Sequence, residues 1–241
     1  MKAIILAAGR GTRIPQVTKN KPKCLIRING KTILERQLYY LRKLKIKDIV
    51  VIKGFKKNHI KYKQISYIEN KNYKNNEQLD SLFSAKSEFK EDILILFSDI
   101  IYDFSIIKKI YYQKKNSITL AVDKNWKNRY EFRFDHPVDQ ADKVKINKKN
   151  NITKIGKKLK IEETNGEFLG ILKVSKNGCK VILEKYKKYK KKVNTANKQI
   201  HDFLNFLIKR GVVISSTSIK GKYMEIDTFN DYKLAKKMFK K

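Results

Sequence analysis

Cysteine, histidine and tryptophan are scarce in this 241-residue chain, with two, three and one copies, and proline occurs only three times. Cys24 and Cys179 stand far apart in no metal-binding or redox spacing, which excludes a disulfide framework and points to a reducing, cytoplasmic setting. His59, His136 and His201 form no HExxH or related pattern, so a histidine-based metal site is not expected. No apolar run approaches the ~18 residues of a membrane span, and no membrane partner is expected. The apolar start, Ala3 to Ala8, resembles a secretory leader only superficially. It is too short for a leader's hydrophobic region and runs into glycines and arginines rather than a small-residue cleavage site. Linkers, low-complexity tracts and internal repeats are absent too, so one domain over residues 1–241 is the expectation.

Acidic residues are the other shortage. Lys and Arg number 57 against 23 Asp and Glu, a net charge of +34. A polycation releases counterions when it meets phosphate polymers, which makes nucleic acid the first partner to test. The excess is mostly lysine, however, spread along the whole chain beside abundant Ile, Asn and Tyr, as an AT-biased coding sequence would supply. A dedicated nucleic-acid binder clusters its charge, favours arginine and carries a recognisable module. Nucleic acid is therefore not expected as the main partner. Hydrophobic content of 41% and aromatic content of 11% fit a globular chain long enough for a full α/β core.

Ala3 to Ala8 reads as a buried strand broken by Gly9. Thr32 with Glu35 is a capping-box pattern, and Leu34, Leu38 and Leu41 then recur at helical spacing. Asp48 to Gly54 is a second buried strand, so strand, glycine loop, helix and strand form a βαβ unit in a parallel sheet. Ile65 to Glu69 reads as a strand, Leu79 to Phe89 as a helix, and Asp92 to Asp99 as a buried strand with an aspartate at its C-terminal end. In the second half, strands are expected at Ile118–Asp123, Lys143–Ile146, Ile152–Ile155, Phe168–Val174, Val212–Ile219 and Tyr223–Ile226. Ile200, Phe203, Leu204 and Leu207 mark a helix closed by Gly211, and Asn230 is a candidate cap for the last one. Lys185 to Lys192 reads as the solvated face of a helix whose other face holds Val181, Ile182, Tyr186 and Tyr189.

Gly9-Arg10-Gly11-Thr12-Arg13 lacks the Gly-Lys-Ser/Thr of a Walker loop, and Ile14 stands where a dinucleotide fingerprint needs its third glycine. Two glycines still let backbone N–H groups approach an anion closely, and Arg13 adds a forked cation. Lys23 follows beside Pro22, which stiffens that part of the loop. Small side chains at Ala7 and Ala8 leave room for a flat ring. Together they suit a nucleotide's base and triphosphate at the C-terminal end of a first strand, where open α/β sheets bind ligands.

Leu6-Ala-Ala-Gly-Arg-Gly-Thr-Arg13 followed by Lys21-Pro-Lys23-Cys-Leu25 resembles the LAAGxGxR…PKxL signature of the nucleotidyltransferases that build NDP-sugars and CDP-alcohols. Gly30-Lys31-Thr32-Ile33-Leu34, Ser98-Asp99 and Glu225-Ile226-Asp227 extend the resemblance over essentially the whole chain. One departure is Pro15, with Gln16 at the place where members often carry the proline. The resemblance implies a Rossmann-like three-layer αβα sandwich around a mostly parallel mixed sheet. It implies a nucleotide-binding half at about 1–110 and an acceptor-binding, lid-bearing half at about 111–241. It also implies attack of a phosphate or phosphonate oxygen on the α-phosphorus of a nucleoside triphosphate, with release of pyrophosphate. Arg13 and Lys23 match the family's triphosphate-binding and transition-state cations. Asp99 and Asp227 match its two Mg²⁺ ligands, consistent with the preference of Mg²⁺ for one or two carboxylates plus phosphate oxygens. Leu6, Ala7, Ala8, Gly9, Gly11 and Thr12 fall in the nucleotide loop. The stretch from Glu77 to Ala85 resembles the element over the base, with Gln78 and Ser81 as candidate contacts and the Gln78 amide able to read a pyrimidine edge.

The Gln-x-x-Ser-Leu-x-x-Ala element looks most like small cytidylyltransferases acting on phosphocholine or 2-aminoethylphosphonate, so CTP is the favoured nucleotide. Asp123 to Pro137 resembles a segment of nucleotidyltransferases of phosphonate assembly. There Arg129, Arg133 and His136 are candidates to grip a doubly charged acceptor. Trp126 and Tyr130 are candidates to cover an ammonium group. Lys157, with Lys158 as alternate, falls near the family's acceptor-phosphate lysine. The alternative is a sugar-1-phosphate nucleotidyltransferase making an NDP-sugar for surface polysaccharide, in which Glu167 and Gly170 would serve a sugar. A binding module without catalysis need not keep both aspartates, and a homodimer is compatible with the sequence.

Overall fold

The structure is a computed structural model that describes residues 1–74, 78–114, 116–192 and 199–240. Its strands are β1 (Lys2–Ala7), β2 (Arg27–Ile28), β3 (Lys31–Thr32), β4 (Ile49–Lys53), β5 (Ser66–Glu69), β6 (Ile93–Phe97) and β7 (Ile100–Tyr102). They continue with β8 (Ile118–Asp123), β9 (Lys143–Ile146), β10 (Ile152–Ile155), β11 (Gly166–Val174), β12 (Ile214–Ser218) and β13 (Tyr223–Glu225). The helices are α1 (Pro15–Thr18), α2 (Ile33–Lys43), α3 (Gln78–Ser84), α4 (Phe104–Tyr111), α5 (Lys176–Lys192), α6 (Ile200–Ile208) and α7 (Phe229–Met238).

β1, β4 and β6 are apolar along nearly their whole length and buried, as strands covered on both faces must be. They pair in parallel in the order β6-β1-β4-β5. Among the described residues the main sheet has nine strands, in the order β10-β9-β11-β6-β1-β4-β5, with β8 paired to β11 and β12 to β8. With helices on both faces, this is the Rossmann-like αβα sandwich that the resemblance implies. β11 runs antiparallel to its neighbours and joins the two halves. Its start lies between β8 and β9, and its end lies between β8 and β6. The change of neighbour falls at Gly170, whose φ of +69° and close approach to the Phe97 ring admit no side chain without strain.

A large core fills the sandwich. A second, smaller one gathers Ile14, Ile26, Ile28, Ile33, Ile101, Met224, Ile226 and Ala235. It lies next to the cleft in the chain, because Ile14 follows Arg13 and Ile226 precedes Asp227.

Two local expectations are corrected. The helix expected over Leu79–Phe89 ends at Ser84, where the Ser84 hydroxyl donates back to the Ser81 carbonyl (2.7 Å), and a 3₁₀ turn at Lys86–Glu88 follows. The last helix is capped by Thr228 rather than Asn230. The Thr228 hydroxyl accepts from the Asp231 amide, and the Asp231 carboxylate accepts from the Thr228 amide, a capping box that starts two residues earlier than read.

Candidate functional site

A cleft of about 280 Å³ opens at the C-terminal ends of β1 and β6, lined by Leu6, Ala8, Gly9, Gly11, Thr12, Arg13, Lys23, Tyr73, Gln78, Ser81, Phe97, Ser98, Asp99 and Asp227. Distant segments converge there by separate local devices. Gly11 has a φ of +66°, and a Cβ on it would lie 3.1 Å from Lys23 Cβ, so the loop rests directly on the lysine's stem. Pro15 stands at the start of α1, a position where proline fits, and Arg13 just before it reaches Asp227 at 2.7 Å. The displaced proline therefore leaves Arg13 aimed at the cleft.

Asp99 and Asp227 are joined through a small antiparallel pair. β7 follows Asp99 and β13 precedes Asp227, with Ile100 opposite Glu225. The Ile226 amide donates to the Asp99 carbonyl at 2.9 Å. From α2, the buried Gln37 amide donates to the carbonyls of Phe97 (2.8 Å) and Ile100 (3.3 Å), which holds the turn that carries Ser98 and Asp99.

Lys23 sits between the two carboxylates. Its ammonium lies 2.9 Å from Asp99 Oδ2 and also donates to Asp227 Oδ1. Burial alone would lower the lysine's pKa, but Asp99 and Asp227 outweigh it and raise the value above the usual range. Asp227 shows the reciprocal effect: burial would raise its pKa, and Lys23 and Arg13 hold it below the ordinary carboxylate value. Glu225, buried beside Asp227 and Asp99, is pushed up by burial first and by their charge second. Asp99 Oδ1 is a buried oxygen with no hydrogen-bond partner among the described residues. His136, Glu225 and Asp227 offer ligand atoms within 4.8 Å of one another. A cation held between two carboxylates, with a further oxygen unpaired, is a donor set that fits Mg²⁺.

Ten of the sequence-derived candidates thus line the cleft with Lys23: Leu6, Ala8, Gly9, Gly11, Thr12, Arg13, Gln78, Ser81, Asp99 and Asp227. Ser81 Oγ accepts from the buried Asn70 amide at 2.8 Å, which fixes the start of α3. Glu77 lies outside the described residues. Ala7 faces the core and is 2% exposed.

The acceptor candidates are placed differently. Arg129 pairs with Asp123 and donates to the carbonyls of Tyr223 (3.2 Å) and Gly221 (3.1 Å), so its fork is filled by protein. Arg133 is buried, with Nε 2.7 Å from Asp231 Oδ1 and its Nη2 bonded to His136 Nδ1 (2.8 Å) and the Glu225 carbonyl (3.2 Å). His136 is buried behind Asp227, 3.9 Å away, and Trp126 is a core side chain 1% exposed. Neither arginine is free to grip an acceptor, and Trp126 cannot cover an ammonium group. Tyr130 carries the Arg133 guanidinium over its ring at 4.7 Å and donates its hydroxyl to Glu167. Burial pushes the Glu167 carboxyl up to about 7, against the lowering effect of that hydroxyl. Lys157 and Lys158 lie on a separate groove with Gly156, Leu159 and His201, away from the lining of the cleft.

Sequence reasoning missed Tyr73 and Phe97 in the cleft and Asp231 behind it, and gave Ser98 only as the neighbour of Asp99, without a role. Ser98 adjoins the strand-end aspartate and was within reach of the strand pattern. Tyr73 enters from a turn that nothing in the local pattern marks, pressed against Gly54, where a Cβ would lie 2.6 Å from its own.

Residues 3–138 match the model of the MobA-like NTP transferase domain. A CTP:phosphoglutamine cytidylyltransferase of Campylobacter jejuni is 28% identical over 248 residues, covering 96% of this chain and 97% of that protein. A choline-phosphate cytidylyltransferase of Streptococcus pneumoniae is 37% identical over 99 residues, 39% of this chain and 43% of that protein. Among solved structures, the inositol-1-phosphate CTP transferase of T. maritima superposes with a TM-score of 0.77 at 21% identity, over 98% of this chain and 95% of that one.

Proposed function

The chain belongs to the MobA-like NTP transferase family, and from that premise we propose that it transfers CMP from CTP to a small phosphorylated or phosphonate acceptor, releasing pyrophosphate. The observation that carries this reading is the convergence of Arg13, Lys23, Asp99 and Asp227 on one cleft beside the glycine loop and Gln78. The likeness to the two cytidylyltransferases supports CTP and a small phosphorylated acceptor.

In the reaction, an acceptor oxygen forms a bond to the α-phosphorus while the α–β anhydride bond breaks and pyrophosphate departs. The protein's work is positioning and charge neutralisation. Backbone N–H groups from Gly9 to Thr12 face the triphosphate, and Gln78 reads the base with its amide. Lys23 and Arg13, both paired with Asp227, turn toward phosphate oxygens when the nucleotide brings its own charge. Asp99 and Asp227 would hold Mg²⁺, which supplies charge neutralisation on the α-phosphate and the leaving group. Among the acceptor candidates, Tyr130 and Glu167 are bonded to each other. Among the described residues no helix is long and apolar enough to cross a membrane.

A pyrophosphate-release screen tests the reading. CTP, UTP, dTTP, ATP and GTP are each paired with phosphocholine, 2-aminoethylphosphonate, phosphoglutamine and hexose 1-phosphates in the presence of Mg²⁺. Turnover is expected with CTP and one of the first three acceptors. Turnover with UTP and a hexose 1-phosphate would replace the acceptor class, and silence with every pair would remove the activity.

A further inference from the structure

Asp231 makes more connections than a helix cap requires. Its Oδ2 accepts from the amides of Asp227 (3.0 Å) and Thr228 (2.8 Å), and its Oδ1 accepts from Arg133 Nε (2.7 Å). His136 Nδ1 lies 3.3 Å from Oδ2. The side chain is fully buried, so its carboxylate depends on these protein partners in place of water. Arg133 in turn bonds the Glu225 carbonyl and lies over Tyr130, whose hydroxyl meets Glu167 on β11.

The segment that joins β8 to β9, residues 124–142, is therefore not docked by apolar contact at this point. Around Arg133 the usual order is inverted: the arginine is buried, while Phe132 and Phe134 beside it are 58% and 79% exposed. A buried arginine held by four partners fixes the segment with an orientation that a greasy contact would not impose. The element it grips is the turn that carries Asp227.

We propose that Arg133 and Asp231 form a positioning latch, in which the segment 124–142 holds the backbone of Asp227 in register with Asp99 and Lys23. Neither residue touches the reacting atoms. Arg133 acts through Asp231, Asp231 acts through the Asp227 amide, and the same arginine ties Tyr130 and Glu167 to that turn. The catalytic half of this inference rests on the proposed nucleotidyl transfer, and the latch itself does not.

The test uses Asp231→Asn, which keeps an oxygen for the helix cap but breaks the charge pairing, together with Arg133→Met and the double variant. Hydrogen exchange by mass spectrometry reads residues 131–137, calorimetry reads CTP binding, and steady-state kinetics reads kcat and KM with the substrate pair found by the screen. Exchange in 131–137 is expected to rise about ten-fold in each single variant, with the double variant no worse than the worse single one. CTP affinity is expected to stay within about two-fold of the parent while kcat falls about ten-fold, the mark of a lost alignment rather than a lost binding contact. Unchanged exchange in both single variants overturns the latch. Loosened exchange with unchanged kcat overturns its positioning role, as does a double-variant loss equal to the product of the two single losses. If one variant fails to fold, the other single variant decides by the same readings. If the parent protein turns over no pair, the functional reading fails. The latch then stands or falls on exchange in 131–137, and its positioning role on exchange at the Asp227 and Thr228 amides in Arg133→Met, which stays at the parent rate if that role is absent.

Discussion

In the half built on β6-β1-β4-β5, polar side chains at the strand ends face an open cleft, whereas in the half built on β8 to β12 the comparable side chains face one another. Arg13 is 57% exposed and reaches its carboxylate from the solvent side, while the side chain of Arg133 is 3% exposed and held by protein partners. The contrast separates two uses of the same residue type. An arginine that ends a glycine loop has water or ligand as its alternative partner, and a buried arginine has none, so its removal is felt in alignment and stability.

Predictions that break or sharpen this contrast can be ordered by size. Trp126→Ala should cost about 3–5 kcal/mol in urea unfolding, because a fully buried ring leaves a cavity behind. A variant that unfolds like the parent but binds acceptor poorly would restore the ammonium role that its burial denies. Asp227→Asn and Lys23→Ala should each lower pyrophosphate release about 10²–10³-fold, the scale for losing one preorganised charge-stabilising group. A loss below ten-fold for both would move the chemistry elsewhere. Gly11→Ala should destabilise by about 1–2 kcal/mol, since a side chain at positive φ is strained and its Cβ would press on the Lys23 stem. Gly9→Ala has open space around its Cβ, so its effect should fall on nucleotide affinity, measured by calorimetry, with the melting point nearly unchanged.

The smallest effect concerns pH. The Glu167 carboxyl stands at about 7 in the fold against 4.5 for the ordinary group, so the folded state holds its proton more tightly. Its contribution to stability is full below pH 4.5 and is lost as pH rises through 7. Glu167→Gln should therefore gain on the parent in thermal midpoint between pH 4.5 and 8, and a constant difference over that range would refute the shift. Some pH dependence should persist in the variant, because Glu225 is shifted in the same direction.

The same contrast explains what could be read from the chain. The parallel strands announce themselves as continuous apolar runs, and the glycine loop and Asp99 sit at their ends, whereas Lys23, in a turn before β2, and Asp227, after β13, are brought to the same site by the resemblance to the nucleotidyltransferase signature. The capping box at Thr32 and Glu35 is local and forms as written. Thr228 and Asp231 form an equally local box that the reading of Asn230 as the cap passed over, whereas the further contact of Asp231 with Arg133 spans 98 residues and lies in no local window. Arg129, Arg133 and His136 have the composition of an anion site, and only the fold reveals that Asp123, Asp231 and backbone carbonyls already fill them. Charge and residue type give a group's capacity to bind. Burial decides who the partner is.

β11 carries a consequence for anyone who would cut the chain. The match to the family model ends at residue 138, yet the strand that flanks β6 begins at Gly166. A fragment that stopped at 138 would keep the glycine loop and Asp99 but leave β6, five buried apolar residues, as a bare border of unsatisfied backbone groups. Such a border recruits another strand, and the nearest supply in a concentrated preparation is a second copy of the same fragment. The expected product is insoluble aggregate rather than a minimal nucleotide binder.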